Sequence, residues 1–260
     1  MTETTANIST IRATVSEAEW QTRVDLAALH RIAQHFGIVD LVVNHFYARV
    51  PGEPDHYLVK PKPLLFDEIT ASNLLKIDAN GEILCDAPHG GYALGGFTIH
   101  TSVLSARPEI NCTMHTHTNA GAAVSAKKSG FKFLSQYAMR FYNQVAYHDY
   151  EGLSHRDDER TRIIRDIGDK RVMILRNHGL LVAGRSIPEA FLLHHYLERA
   201  CEVQLLAEQG GDALVIPSEE ECEEISKHWP ENKPDAGLAG DTDWAALLRR
   251  MDRLDPSFRE

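Results

Sequence analysis

The sequence predicts one α/β domain, residues 16–215, with a polar arm at 1–15 and an extension at 216–260. Three observations predict it. Two capping-box signatures, Ser16-Glu17-Ala18-Glu19 and Ser186-Ile187-Pro188-Glu189, each open a run with apolar residues at helical spacing. Short apolar runs at 111–117, 172–175 and 180–183 have strand length. The chain has 260 residues, long for one compact domain and short for two.

The elements follow in order. After Ser16, the residues Trp20, Val24, Ala27, Leu29, Ile32 and Phe36 mark a helix that Gly37 ends in a left-handed conformation. Residues 41–49 and 57–59 read as strands around Pro51-Gly52. Residues 69–75 read as a short helical or mixed turn. Asn80-Gly81 is a hairpin signal between strands at 75–77 and 82–85. Residues 100–106 are helical, stopping before Pro108. The strand 111–117 is followed by a small-residue helix at 119–127. The strand 172–175 ends at Arg176-Asn177-His178-Gly179, and 180–183 follows it. Pro188 in its first turn starts a long helix that runs to about residue 209. The acidic run 219–224 is a solvated helix face, 230–243 a loop, and Trp244, Leu247, Leu248 and Met251 mark a docking helix.

Composition narrows function. Hydrophobic residues make up 43% and charged residues 25%, ordinary globular values. A net charge of −10 argues against nucleic acid or an anionic membrane surface as partner. Cys85, Cys112, Cys201 and Cys222 form no CxxC pair and read as reduced thiols. The first residues lack the apolar core of a secretory signal, and no stretch has the length of a membrane span. The expected setting is cytoplasmic.

Position selects among the 14 histidines. His115 and His117 are two apart in a strand, so both rings lie on one face. His178 sits in a glycine-containing turn at a strand end, where α/β folds place functional groups. Three neutral imidazoles that share one divalent ion leave a position open for water or substrate. On spacing alone, a polar core seam capped by a turn histidine remains an equal alternative.

Several runs resemble the class II aldolase and adducin family: 96–100 (GFTIH), 106–111 (ARPEIN), 114–118 (MHTHT) and 176–181 (RNHGLL). Residues 65–72 and 146–152 continue the match, which spans about residues 20–210. The resemblance implies a three-layer α/β/α sandwich with a central, mainly antiparallel sheet. It implies a zinc-type site, with His115, His117 and His178 at the ligand positions, and a homotetramer with the active site near a subunit interface. Departures from the sugar-phosphate aldolases matter equally. Their catalytic glutamate aligns with Gly96, their phosphate-holding hydroxyl residues with Leu94 and Gly95, and their Gly-Asn and Thr-Gly pairs with Asn44-His45 and Lys62-Pro63. The expected enzyme is therefore a metal-dependent lyase on a small oxo- or hydroxy-acid, not a sugar phosphate. Two alternatives stand beside it. One is a non-haem oxygenase using Fe(II) on an aryl 2-oxo acid, since imidazole does not by itself select zinc over iron. The other is a non-catalytic, adducin-like binding module.

Further candidates are His45, His100 and Tyr142 for substrate binding. His148 or Tyr142 is a candidate for moving a proton, Tyr137 and Tyr147 are candidate donors, and Arg140 and Arg176 are candidate carboxylate clamps.

Overall fold

The computed structural model describes residues 11–85, 89–152, 157–229 and 239–260. Seven strands form one sheet in the order β3-β2-β1-β4-β7-β6-β5. They are β1 (His45–Val50), β2 (Glu53–Val59), β3 (Leu75–Asp78), β4 (Cys112–Thr116), β5 (Val145–His148), β6 (Val172–Leu175) and β7 (Gly179–Gly184). Every pairing is antiparallel except β5 with β6.

Period-two alternation sends each strand's residues to two faces. On β7, Leu180 and Val182 join the core that holds Leu26, Leu29 and Ile32 of α1 (Glu17–His35) and Leu193 and Leu197 of α6 (Ile187–Gln209). Leu181 and Ala183 join the opposite core, with Ile99 and Val103 of α2 (Leu94–Ala106) and Ile163 of α5 (Asp157–Ile167). Helices thus cover both faces, giving the three-layer α/β/α sandwich. The short helices α3 (Asn119–Ser125) and α4 (Gln136–Met139) lie between β4 and β5 in the chain.

Local signals explain most boundaries. Ser16 Oγ accepts from Glu19 N–H, and Ser186 Oγ from Glu189 N–H, each capping a helix. The reciprocal half of both expected boxes is missing. Glu19 turns to Arg23 and Lys76, and Glu189 to Arg171 and Arg185. Gly37, at φ 71°, follows α1, and Ile38 N–H reaches back to Ala33 O at 2.9 Å.

Three expectations need correction. The first strand begins at His45, because 41–43 is a turn with Leu41 at φ 46°. The Asn80-Gly81 turn forms, but its second arm is not a strand. The Asp78 carboxylate takes the N–H groups of Asn80 and Glu82, and pairing shrinks to the single bridge Ile77–Ile83. Helix α2 starts at Leu94, six residues before the expected start, and takes Gly95 and Gly96 into its first turn.

The C-terminal helices are α7 (Glu219–His228) and α8 (Asp241–Leu254). The acidic run lies on α7 with all its glutamates exposed, and Cys222 is buried. On α8, Trp244 and Met251 are buried in the core, and Trp244 Nε1–H donates to Asp25 on α1 at 3.2 Å. Residues 230–238 of the expected loop lie outside the described residues, as do 1–10 of the expected arm. Among the described residues, no helix is long and apolar enough to cross a membrane.

Candidate metal centre

The β4–β7 pairing places His115 opposite Leu181 and Thr116 opposite Leu180. The chain leaves β6 at Leu175 and turns through Arg176-Asn177-His178, with Asn177 at φ 55°. It enters β7 at Gly179, and a Cβ there would lie 2.1 Å from Thr116 O, so only glycine allows this approach of turn and strand. His178 is thereby carried back over the end of β4.

The three Nε2 atoms converge. His115 to His117 is 3.0 Å, His117 to His178 is 2.9 Å, and His115 to His178 is 3.2 Å. The far nitrogens fix two tautomers. His115 Nδ1–H donates to Leu180 O at 2.9 Å, and His117 Nδ1–H to the Asp40 carboxylate at 3.0 Å. Both Nε2 lone pairs then point inward. Two lone pairs 3 Å apart repel unless a cation lies between them. Nitrogens about 2.0–2.1 Å from one ion take about this mutual spacing, and orienting partners on the far nitrogens are characteristic of metal-bound imidazoles.

Protonation favours the same state. Burial, then the neighbouring histidines, holds His115 well below its ordinary range, and burial, then His117, lowers His178 to about 4. Neutral imidazole is the ligand form.

The histidines open into a cavity of about 390 Å³. His45, Lys62, Gly95 and Gly96 line it, so positions where the family resemblance marks departures stand on its wall. Val42, Val43, Ile99 and Tyr150 add apolar surface. His45 is buried, with Nδ1 at 2.7 Å from His100 Nε2, and His100 Nδ1 lies 2.6 Å from Thr113 Oγ1. Burial, then His100, pushes His45 well below its ordinary range. A Cβ on Gly96 would lie 2.6 Å from His45 Nε2. The imidazole therefore fills the volume into which a side chain at position 96 would extend.

The other candidates scatter. His100 is fully buried behind His45, stacked on Tyr47 with ring centroids 4.2 Å apart. Tyr142 does not line the cavity; it packs on Phe133, and its carbonyl accepts from Ser226 on α7. Tyr147 accepts from Phe131 N–H, and Tyr137 lies against Tyr196. Arg140 lies over Tyr196 and Trp229, and Arg176 over Tyr147. His148 joins a separate carboxylate cluster.

Sequence reasoning missed the supporting groups. Asp40 orients His117, and the buried Asn44 side chain accepts from His117 N–H at 3.0 Å. Both lie in the α1–β1 connection, which no local pattern ties to 115–117.

The fold and sequence have known counterparts. An aldolase II superfamily protein from Pseudomonas syringae superposes with a TM-score of 0.91 at 42% identity, covering 96% of this chain and all of that one. An L-fuculose 1-phosphate aldolase from Glaciozyma antarctica superposes at 0.81 with 27% identity, covering 94% of this chain and 93% of that one. Rat alpha-adducin is 40% identical over 246 residues, 89% of this chain and 33% of its own length. Residues 24–205 match the family described as Class II Aldolase and Adducin N-terminal domain, and the chain belongs to that family.

Proposed function

We propose that this chain is a metal-dependent lyase acting on a small oxo- or hydroxy-acid, with His115, His117 and His178 as ligands of one divalent ion, zinc in the first instance. The family generally uses a divalent metal. The observation that carries the reading is the triangle of Nε2 atoms with sides of 2.9–3.2 Å, two of them held as lone-pair donors by Leu180 O and Asp40. A bound ion would supply Lewis-acid polarisation of a carbonyl or enediolate oxygen. The chain's own groups would do the rest. Lys62 would offer a cation to a substrate carboxylate, and His45, on the same cavity wall, would contact the bound acid.

A sugar-phosphate substrate fits less well. Gly96 carries no carboxylate, and the His45 ring takes the space one would need. A missing general base removes about 10²–10⁴-fold of rate. The fuculose phosphate aldolase relative makes this a direct test. Zinc at the three-histidine centre should approach one ion per chain and be lost from that centre in His117→Ala, while fuculose 1-phosphate and rhamnulose 1-phosphate go uncleaved by the zinc-loaded protein. Robust cleavage of either would overturn the substrate reading, and full zinc retention by His117→Ala would overturn the site.

The apolar walls at Val42, Val43, Ile99 and Tyr150 also favour a second reading, an Fe(II) oxygenase on an aryl 2-oxo acid. Oxygen uptake by anaerobically iron-loaded protein separates the two. A homotetramer belongs to the proposal too. Exposed Val43 and Tyr150 on the cavity wall, with exposed Leu41 two residues before Val43 and exposed Leu94 between the cavity-lining Ala93 and Gly95, support a covering surface there. Light scattering tests the assembly.

A further inference from the structure

His148, the last residue of β5, is 5% exposed. Its Nδ1–H donates to Asp166 Oδ2 on α5 at 2.7 Å. That fixes the tautomer and leaves the Nε2 lone pair facing the other way. Nε2 is buried and has no hydrogen-bond partner among the described residues. It points between two carboxylates, Glu151 Oε1 at 3.9 Å and Glu159 Oε1 at 3.8 Å.

Those distances decide between two states. A protonated Nε2 would find both oxygens beyond hydrogen-bond reach, which ends near about 3.2 Å. A neutral Nε2 would set a lone pair against two anions. A cation between them resolves both difficulties, because ligand atoms about 2.0–2.2 Å from one ion lie well over 3 Å apart. The three ligand atoms fall within 4.8 Å of one another. A cavity of about 10 Å³ lies among these residues, room for about one water-sized occupant.

We propose that His148, Glu151 and Glu159 form a second divalent-cation site, separate from the three-histidine centre. One imidazole and two carboxylates suit a borderline first-row ion, zinc or manganese, better than a soft one. The site joins β5, the turn after it and α5. Glu151 is already gripped by Arg162 through both carboxylate oxygens, which presents Oε1 in a fixed place. Its neighbours Tyr150 and Gly152 line the larger cavity, and His178 borders the small one. An ion here would pin the wall of the larger site without entering it.

Metal stoichiometry tests this, with Zn²⁺ and Mn²⁺ as probes in separate equilibrium dialyses of the full chain. Two ions per chain are expected for the native protein, one for His117→Ala, one for His148→Ala, and none for the double variant. Glu151→Gln and Glu159→Gln should each weaken the second ion at least tenfold and leave the first unchanged; they decide the matter if His148→Ala fails to fold. Anomalous scattering at the zinc edge should place the second peak beside His148 Nε2. The proposal is overturned if native protein saturates at one ion and His117→Ala binds none. It is equally overturned if His148→Ala or both glutamine variants keep two ions at native affinity. Loss of the three-histidine ion alone, with one ion retained through His148, would instead count against the proposed function.

Discussion

Replacing Gly96 by alanine tests the arrangement of the cavity wall. The new Cβ would sit 2.6 Å from His45 Nε2 and Cε1 and 2.7 Å from Nδ1, closer than carbon approaches any of these atoms without displacement. The ring has little room to yield. Its Nδ1 is held by His100 at 2.7 Å, and His100 is held by Thr113 and Tyr47. Overpacking of this kind costs about 1–3 kcal/mol. Against that, alanine improves on glycine in a helix by up to about 1 kcal/mol. The expected net effect is a loss of roughly 0–3 kcal/mol in the native background. With His45→Ala also present the clash is gone, and the same substitution should add up to about 1 kcal/mol. The double-mutant cycle, read by urea unfolding of the four proteins, should therefore show coupling of about 1–3 kcal/mol. In a chain of this size each kcal/mol moves Tm by roughly 2–4 °C. Additive effects, or a Gly96→Ala protein more stable than native, would mean that the His45 ring does not occupy this space. The account of why a position-96 carboxylate is unsuited here would then fall.

Three other predictions rest on single contacts. Asp40→Asn weakens the acceptor that orients His117, and metal affinity should drop about 10–100-fold in chelator competition; an unchanged affinity refutes the role of Asp40. Burial lowers His30 and His194 to about 3 from an ordinary 6.5. The unfolded chain binds more protons between those values, so this stability is full above pH 6.5 and is lost as pH falls towards 3. At pH 5 the loss should be roughly 2 kcal/mol for each histidine, and His30→Leu should flatten the slope in urea titrations between pH 7 and 5. Glu189, fully buried, pairs with Arg171 and Arg185, so Glu189→Ala should cost about 3–5 kcal/mol in the same assay.

The convergence of the three candidate ligands was legible because each depends on local geometry. Period two puts His115 and His117 on one side, and a strand followed by Asn-His-Gly marks a turn at a sheet end. The groups that orient His117 were not legible. Asp40 and Asn44 precede β1, and only the antiparallel β1–β4 pairing, with His45 opposite His115, brings them to His117. Tyr142 fails for the converse reason. It lies between His117 and His178 in sequence, but its segment packs towards Phe133 and α7, away from the cavity. The capping boxes show the same limit. Their serines act locally as expected, and their glutamates go to arginines or lysines in other contacts.

Gly179 links backbone geometry to the proposed metal centre, and that link has a testable consequence. His178 is one residue before Gly179, and His117 one residue after Thr116, whose carbonyl oxygen would lie 2.1 Å from a Cβ at 179. That contact is with backbone, so no rotamer change relieves it. Gly179→Ala must part the ends of β4 and β7 and move His178 relative to His115 and His117, although it removes no ligand. Three nitrogens now 2.9–3.2 Å apart cannot keep one ion at bonding distance if one of them shifts by about 1 Å. The variant should remain folded at a cost of about 1–3 kcal/mol, and it should lose metal affinity by more than Asp40→Asn does. Calorimetric zinc titration of the two variants makes the comparison. If Gly179→Ala binds zinc like the native protein, the convergence of the three imidazoles does not depend on this strand contact, and another element must hold His178 in place.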